Sequence, residues 1–372
     1  MTVNGWVEVQ RTIYWNKHRG TVAPLDQWLG IVSERYSVGI REMTCRLSLN
    51  AAFVPASENL ARTAQVSISH SALRDLVQRE GGRAERALRQ GQYGPGWTTE
   101  DCSNQTLVTG ADGVMVPMVT REQKQKRRAS EAKKRKRQGR KSTARIGRPK
   151  TGSEGAYQEF KIVSFYDPDK AHMYAVGTGG DHTALGRLMR RAAGKLKIEQ
   201  ARRKYSVTDG AEWIARQYAR QLPLLVENIL DYYHLRDQVI VAAQVLYGEG
   251  TSQARAWREE MMGYVWNQGS LVMLDRLANY SRRHPGGPKG EALRSLRGYV
   301  AKRVNMTDYP RYRQIGYDCG SGPTESFCGT LTARLKGRGM HWDKDKAEAM
   351  MALGSLYYSS LWQDYWTEQR AA

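Results

Sequence analysis

A strand-forming stretch, Thr106–Met118, has the sequence TLVTGADGVMVPM and contains one acidic residue, Asp112. Most of its residues are β-branched or aliphatic, a composition that favours a strand. Two other acidic residues also stand near glycine: Asp209 follows a short apolar run, and Glu325 lies in residues 320–326, GSGPTES. We expect these three carboxylates at strand ends or helix starts, positions from which side chains are often presented for function.

The segments around these residues alternate between strand and helix patterns. In chain order the sequence predicts strands at Thr106–Met118, Phe160–Tyr166 and His172–Val176, a helix at Thr183–Leu196, a strand at Tyr205–Thr208, a helix at Ala211–Gln221 and a strand at Leu224–Leu230. This order is that of the ribonuclease-H-like fold, an α/β fold with a mixed sheet flanked by helices. Its first strand lies beside its fourth, so Asp112 and Asp209 are expected side by side.

Helical patterns fill the rest of the second half of the chain. From Leu235 to about Val304 apolar residues recur at helical spacing, and the interval is too long for a simple connection. We therefore expect an α-helical insertion there. A helix from Glu325 to about Leu335 and a final amphipathic helix over Asp343–Trp362 are also expected.

Two short helices are predicted before the sheet. The first covers Pro55–Ala64, and the second is capped by Ser69 and runs to Gly81. Two helices joined by a tight turn resemble a helix-turn-helix, whose second helix enters the major groove of DNA. Its open face would present His70, Ser71, Arg74 and Gln78 to DNA. An ordinary helical hairpin is the alternative.

The chain is strongly basic, with a net charge of +21 and an isoelectric point near 9.9. Such a charge predicts a polyanionic partner, because Lys and Arg bind phosphates and release counterions. Short nucleic-acid packing proteins are poor in Trp, whereas this chain has 10 Trp and 20 Tyr. We therefore expect a globular protein that binds nucleic acid.

Much of the positive charge lies in residues 121–150, which include KKRKR at 133–137. Blocks of like charge repel themselves and are expected to stay extended. We predict a flexible arm that contacts the DNA backbone without base specificity; a solubilising linker and a nuclear import signal are the alternatives. The arm residues expected on DNA are Lys133, Lys134, Arg135, Lys136 and Arg137, and a further basic set, Arg334, Lys336 and Arg338, follows the Glu325 helix.

The four cysteines show neither a Cys-x-x-Cys pair nor a His at zinc-finger spacing. Reduced thiols are therefore expected. No apolar run reaches the length of a membrane span. We expect a soluble cytoplasmic protein that does not bind membranes or act on a small-molecule substrate.

Carboxylates that converge from distant parts of a chain supply the oxygen ligands that Mg²⁺ prefers. Two such ions can clamp the attacking and leaving oxygens of a phosphodiester. Asp112, Asp209 and Glu325 are thus predicted to bind two Mg²⁺ ions, with Mn²⁺ as a substitute. Each residue also has a structural alternative: a turn aspartate, a helix cap and a favourable charge at a helix N-terminus.

Five motifs occur in the order expected for one family. They are DGVMVP at 112–117, DGAEWI at 209–214, DYYH at 231–234, GSGPTE at 320–325 and RLKGRGMHW at 334–342. Together they resemble the DDE transposases of bacterial insertion sequences, in the Kra-type group related to mutator-like transposases. The resemblance covers roughly residues 105–360.

The resemblance implies a DNA transposase in which Asp112, Asp209 and Glu325 are catalytic and bind metal. It also implies an accessory role for Asp231 and His234. The expected partners are element ends and target DNA, bound by a homodimer or larger oligomer associated with a bacterial nucleoid. A metal-dependent nuclease of the same fold and a domesticated DNA-binding protein are the alternatives.

The implied organisation has four parts. They are an N-terminal helical DNA-binding region (1–100, with the helix-turn-helix at about 55–81), a ribonuclease-H-like catalytic core (101–120, 155–235 and 315–372), a basic flexible arm (121–154) and a helical insertion domain (236–314).

Overall fold

The computed structural model describes residues 8–18, 20–28, 36–139, 151–225 and 227–371. A small hairpin of β1 (Tyr14–Asn16) and β2 (Gly20–Val22) precedes a five-stranded sheet in the order β5-β4-β3-β6-β7. The strands of this sheet are β3 (Thr106–Pro117), β4 (Tyr157–Tyr166), β5 (Met173–Thr178), β6 (Arg203–Thr208) and β7 (Glu227–Leu230).

The topology of the sheet agrees with the prediction. Its first strand, β3, pairs antiparallel with β4 and parallel with the fourth strand, β6. A mixed sheet flanked by helices, with the first strand beside the fourth, confirms the ribonuclease-H-like α/β fold class. Strand limits differ by a few residues; for example, the predicted strand Leu224–Leu230 begins at Glu227.

Helices lie before, between and after the strands. Those before β3 are α1 (Pro24–Trp28), α2 (Val38–Asn50), α3 (Phe53–Ala64) and α4 (His70–Gln90). Those within the sheet region are α5 (Arg121–Arg137), α6 (His182–Lys195) and α7 (Glu212–Gln221). Those after β7 are α8 (Tyr232–Tyr247), α9 (Ser252–Gln268), α10 (Ser270–Arg283), α11 (Gly287–Ala301), α12 (Tyr309–Gln314), α13 (Gly322–Ala333), α14 (Lys344–Tyr358) and α15 (Trp362–Ala371). Within the described ranges, no helix combines the length and apolar character needed to cross a bilayer.

The two helices of the predicted helix-turn-helix are present as α3 and α4. Ser69 caps α4 as predicted, because its side chain accepts a hydrogen bond from the backbone N–H of Ala72. The predicted end at Gly81 is wrong, since α4 continues to Gln90. Gly81 instead allows close packing: a Cβ at this position would overlap the backbone of Ala349 on α14.

The basic arm differs from the extended segment that its charge predicts. Arg121–Arg137 forms α5, and residues 140–150 lie outside the described residues. A capping box begins the helix: the Thr120 hydroxyl accepts from the N–H of Gln123, whose side chain accepts in return from the N–H of Thr120. The prediction of an extended chain is therefore wrong for α5, a helix favoured by its capping box and by the Glu122–Lys126 ion pair.

The predicted final helix is also interrupted. It ends early, because α14 stops at Tyr358 and α15 begins only at Trp362, with Ser360 between them at a φ of 60°. The Ser359 hydroxyl donates to the carbonyl of Ala175 and accepts from its N–H, at 3.1 and 2.9 Å. The break is thus anchored to β5.

Two hydrophobic clusters cover different parts of the sheet. One contains Leu73 of α4, Ile162 of β4 and Leu353 of α14, so the N-terminal helices share a core with the sheet. The other joins Val207 of β6 to Leu235 and other apolar residues of the helices after β7. The N-terminal and C-terminal helices therefore bury one part of the sheet in a shared core, and the inserted helices after β7 bury another part in a second core.

A buried ion pair lies inside the N-terminal helices. Glu80 is fully buried, and its two oxygens accept from the Arg41 guanidinium at 3.0 and 2.9 Å. Glu80→Ala should lower the free energy of unfolding by about 3–5 kcal/mol, because it leaves the buried Arg41 without its counter-charge. Urea unfolding checks this, with the exposed Glu58→Ala as a control expected to change stability by less than about 0.5 kcal/mol. Equal effects of the two substitutions would contradict the prediction.

Candidate active site at the ends of the parallel strands

The parallel pairing of β3 with β6 brings two of the predicted carboxylates together. Val108 pairs with Tyr205 and Thr109 with Ser206; the same offset, carried three residues further, sets Asp112 level with Asp209. Asp209 directly follows β6, as predicted. Asp112 lies within β3 rather than at a strand end, because β3 continues along β4 after β6 has ended.

Helix α13 brings the third carboxylate to the same face of the sheet. Alternate residues of a strand share a face, so Gly110 and Asp112 point the same way. A Cβ at Gly110 would overlap the Thr324 hydroxyl, so glycine lets the first turn of α13 lie close to β3. Thr324 also shares a 2.8 Å hydrogen bond with Ser164 of β4. Glu325, the next residue, is in the first turn of α13, as predicted.

Asp112 has a perturbed carboxyl group. Burial raises its pKa above the ordinary value, and the negative charge of Asp209 raises it further. The N–H of Gly113, 2.6 Å from its Oδ1, the charge of His234 and the thiol of Cys328 act in the opposite direction. The two aspartates are therefore close enough to repel each other.

Glu325 faces a histidine from another part of the chain. Its Oε1 lies 3.9 Å from Nε2 of His234 and accepts a 3.1 Å hydrogen bond from the Ser321 hydroxyl. The Glu325 side chain is 53% exposed and that of His234 is 41% exposed. Both groups are thus open to a ligand that reaches the site from solvent.

Asp231 organises the backbone around these groups. It is fully buried, and its Oδ1 accepts from the N–H groups of Tyr233 and His234 at 2.6 and 2.9 Å. Its Oδ2 accepts from the N–H of Ser321. Asp231 thereby caps α8 and ties it to the segment before α13, which fixes His234 relative to Glu325.

The inserted helices hold the turn that carries Asp209. The Tyr299 hydroxyl donates to the Asp209 carbonyl at 3.3 Å, and Arg303 donates to the Gly210 carbonyl from Nε and Nη2, at 3.2 and 2.9 Å. Gly210 has a φ of 72°, a conformation that favours glycine. The position of Asp209 therefore depends on α11 and the residues that follow it.

The donor set is of the kind that Mg²⁺ takes, since it consists of carboxylate oxygens. A cation would also relieve the repulsion between Asp112 and Asp209. The three carboxylates do not converge on one point. Within the described residues, no three His, Cys, Asp or Glu groups are positioned to hold a metal ion. The donors fit the ion chemically, and the exposed Glu325 side chain has the freedom to complete the set.

The predicted DNA-contacting face of α4 lies open at one end of the helix. His70, Ser71 and Arg74 are exposed and Gln78 is half-buried. Arg74 donates from Nε and Nη2 to the neighbouring Asp75, at 3.0 and 2.8 Å.

The other predicted basic residues occupy two settings. Lys133, Lys134, Lys136 and Arg137 of α5 are exposed, Arg135 is half-buried, and Lys336 and Arg338 are exposed after α13. Arg334 is half-buried, and its predicted contact with a DNA phosphate stays a prediction. Its guanidinium donates from Nε to the carbonyl of Ser48 and packs over Phe53 and Trp342, which joins α13 to the N-terminal helices.

Three residues of the site were missed by the sequence prediction. Cys328 lies one turn after Glu325 on α13, a spacing from which its position beside Asp112 could have been inferred. Tyr299 and Arg303 lie far from the motifs in sequence. Only the packing of α11 against the Asp209 turn identifies them.

Comparison with known proteins adds little to this geometry. No protein-family model matches the chain, and no curated protein matches it. Among solved structures, the chain is similar to the Drosophila P element transposase strand transfer complex, with 10% identity and a TM-score of 0.38. That similarity covers 90% of this chain and 94% of the other. At this level, the similarity does not establish a shared activity.

The perturbed pKa of Asp112 predicts how stability depends on pH. Because the folded-state pKa is raised, the stability linked to the protonated carboxyl is present at low pH and is lost as pH rises through that pKa. Asp112→Asn should therefore raise the free energy of unfolding at pH 7.5 in EDTA. The gain should vanish below the ordinary Asp pKa of about 4.

Urea unfolding of the wild type and of Asp112→Asn, at pH 7.5 and at a pH below about 4, measures the difference in free energy of unfolding. Asp75→Asn, at an exposed position, is the matched control. If Asp112→Asn were less stable than the wild type at pH 7.5, the inferred repulsion between Asp112 and Asp209 would be wrong.

Proposed function

We propose that this protein is a DNA transposase of the DDE type, similar to the Kra-type insertion-sequence enzymes. The proposal is carried by the proximity of Asp112 on β3 to Asp209, which directly follows the parallel strand β6, with Glu325 on a helix packed over the same face. A role in a turn or as a helix cap would explain each carboxylate by itself. Such a role does not explain why all three carboxylates lie at one end of the sheet.

The proposed metal site uses the three carboxylates. Asp112, Asp209 and Glu325 would hold two Mg²⁺ ions, or Mn²⁺ in their place. When bound, such ions activate the attacking oxygen and stabilise the leaving oxygen of a phosphodiester. The chain's own contribution is to fix the carboxylates: β3 and β6 set the aspartates, and Arg303 holds the Asp209 turn.

His234 has the position of an auxiliary group. It lies 3.9 Å from Glu325, and its positive charge would lower the pKa of Asp112. When protonated, the imidazole would offset part of the negative charge of the site and could donate to a phosphate oxygen of bound DNA. Asp231 is a positioning residue, because both of its oxygens accept backbone N–H groups.

The proposed reaction has two steps at one site. Water attacks the phosphate at the element end and leaves a 3′-hydroxyl; that hydroxyl then attacks a phosphate of target DNA, and one phosphodiester replaces another. Neither step forms a covalent bond to the protein. Positioning and charge stabilisation supply the catalysis.

DNA binding in this proposal uses surfaces separate from the carboxylates. The face of α4 would contact bases at the element ends, and α5 would contact backbone phosphates. Two ends must be brought together, so at least a homodimer is expected on DNA. In a bacterial cell such a protein would be cytoplasmic and associated with the nucleoid.

Substitution of the carboxylates tests the chemistry. Asp112→Ala, Asp209→Ala and Glu325→Ala should each abolish cleavage and strand joining in Mg²⁺ and leave duplex binding largely unchanged, because only metal ligands are lost. The control is Glu212→Ala, an exposed glutamate three residues after Asp209 that pairs with Arg216.

Cleavage and joining are measured on a labelled duplex that carries the ends of the element. Near wild-type cleavage by the Glu325→Ala protein would sink the assignment. Cleavage by the wild type without 3′-end joining would identify a nuclease instead.

The role of α5 is tested by charge removal. Replacing Lys133, Lys134, Lys136 and Arg137 with Gln keeps the helix but should weaken binding to any duplex. The slope of log affinity against log salt should fall by up to about 3.6, at about 0.9 for each lost phosphate contact.

A matched set of exposed residues on the inserted helices provides the comparison: Arg282, Lys289, Arg297 and Lys302. Equal losses from the two sets would mean that net charge, rather than α5, drives binding. An unchanged slope after the α5 substitutions would make the helix a spacer.

A further inference from the structure

A cavity of about 440 Å³ lies beside β5, the outermost strand of the sheet. It opens between α6, α4 and α14, at the end of β5 that carries Thr178. Its basic residues are Arg89 of α4, Arg187 and Arg191 of α6, and Lys344 of α14. Its acidic residues are Asp181 and Glu348.

The acidic groups of this cavity already have partners. Glu348 accepts from the Arg89 guanidinium and from the N–H of Gly179, both at 3.1 Å. Asp181 caps α6 and accepts from the N–H of Ala184 at 2.8 Å. Arg89 is further paired with Glu85 on its own helix. Glu348 is therefore paired with Arg89 and a backbone N–H, and one oxygen of Asp181 is engaged in capping α6.

The remaining cations lack such partners. Within the part of the chain that the structure describes, the side chains of Arg187, Arg191 and Lys344 make no hydrogen bond or ion pair. Three like charges that line one cavity repel one another, and an anion between them removes this cost. An extended anion with several charges suits a cavity that is open to solvent on one side.

The cavity lies on the same end of the sheet as the carboxylates. Since β5 is antiparallel to β4, and β4 to β3, β5 runs parallel to β3. Thr178 pairs with Lys161, and Lys161 pairs with Gly113, the residue after Asp112. Two strand spacings, about 10 Å, therefore separate the backbone of Thr178 from that of Gly113, so the cavity lies beside the edge strand at the end of the sheet that carries Asp112.

We propose that this cavity, with Arg187, Arg191 and Lys344, is a phosphate-binding groove that holds the backbone of DNA a short distance from the scissile phosphate. Because the cavity and the carboxylates share one end of the sheet, the groove would take the flank of the duplex whose phosphate lies at Asp112 and Asp209. The proposal rests on the proposed function for its choice of ligand and adds a binding site outside the carboxylates, α4 and α5.

Binding measured without metal tests the groove. A fluorescein-labelled duplex of 30 base pairs is titrated with protein in EDTA at several salt concentrations, and anisotropy gives the affinity. The double variant Arg187→Ala and Arg191→Ala should lower the slope of log affinity against log salt by about 1.8, at about 0.9 for each lost contact. Both arginines are exposed, so the variant should keep the melting temperature of the wild type.

The control removes the same charge outside the cavity. Arg190 lies on α6 between the two arginines of the groove, and Arg220 lies on α7; both are exposed, and neither lines the cavity. Arg190→Ala with Arg220→Ala should change the slope by much less than the groove variant. The groove proposal would be wrong if the two double variants gave equal slopes of log affinity against log salt. It would also be wrong if the slope of the groove variant equalled that of the wild type.

The outcome is independent of the proposed chemistry. No metal is present and no bond is cut, so a lower slope supports the groove even if the Asp112→Ala protein still cleaves DNA. Competition with inorganic tripolyphosphate separates a small ligand from DNA. If tripolyphosphate binds the groove and the duplex slope is unchanged, the DNA assignment fails.

Discussion

The parallel pairing between β3 and β6 is the constraint on which the rest of the site depends. A parallel ladder fixes one offset between two strands, and a slip of one residue would turn every side chain on one strand to the other face. The observed offset sets Asp112 level with Asp209 and turns Asp112 towards α13. The glycine at 110 then decides how close α13 approaches, and thereby where Glu325 stands.

Two polar side chains, the buried Asp231 and the half-buried Arg303, extend this constraint to the rest of the protein. Asp231 joins β7, α8 and the segment before α13 through three backbone N–H groups, and Arg303 joins the inserted helices to the turn after Asp209. Buried polar groups of this kind are costly unless they are satisfied, so they favour one arrangement over others. The carboxylates are thus supported from the sheet and from the insertion.

The sequence was sufficient for the fold class because the strand and helix patterns around Asp112 and Asp209 are strong and follow one known order. It also located Glu325, since glycine and proline mark the start of α13. It failed where tertiary contacts decide the outcome. Gly81 looks like a helix end and is a contact with α14, and Arg334 looks like a surface cation and is enclosed by Phe53 and Trp342. A capping box marks the start of α5, a local signal that the charge of the segment obscures in the sequence.

The close packing of α4 on α14 has a geometric consequence. Because Gly81 lies against the backbone of Ala349, the exposed start of α4 and the strand ends belong to one packed body rather than to two tethered parts. A duplex held by α4 would reach the carboxylates at one fixed distance and one rotational phase. DNA turns once in about 10–10.5 base pairs, so only phosphates on one side of that duplex would come within reach. In the proposed function, the protein would thereby fix the number of base pairs between the sequence that α4 binds and the phosphodiester that is cleaved.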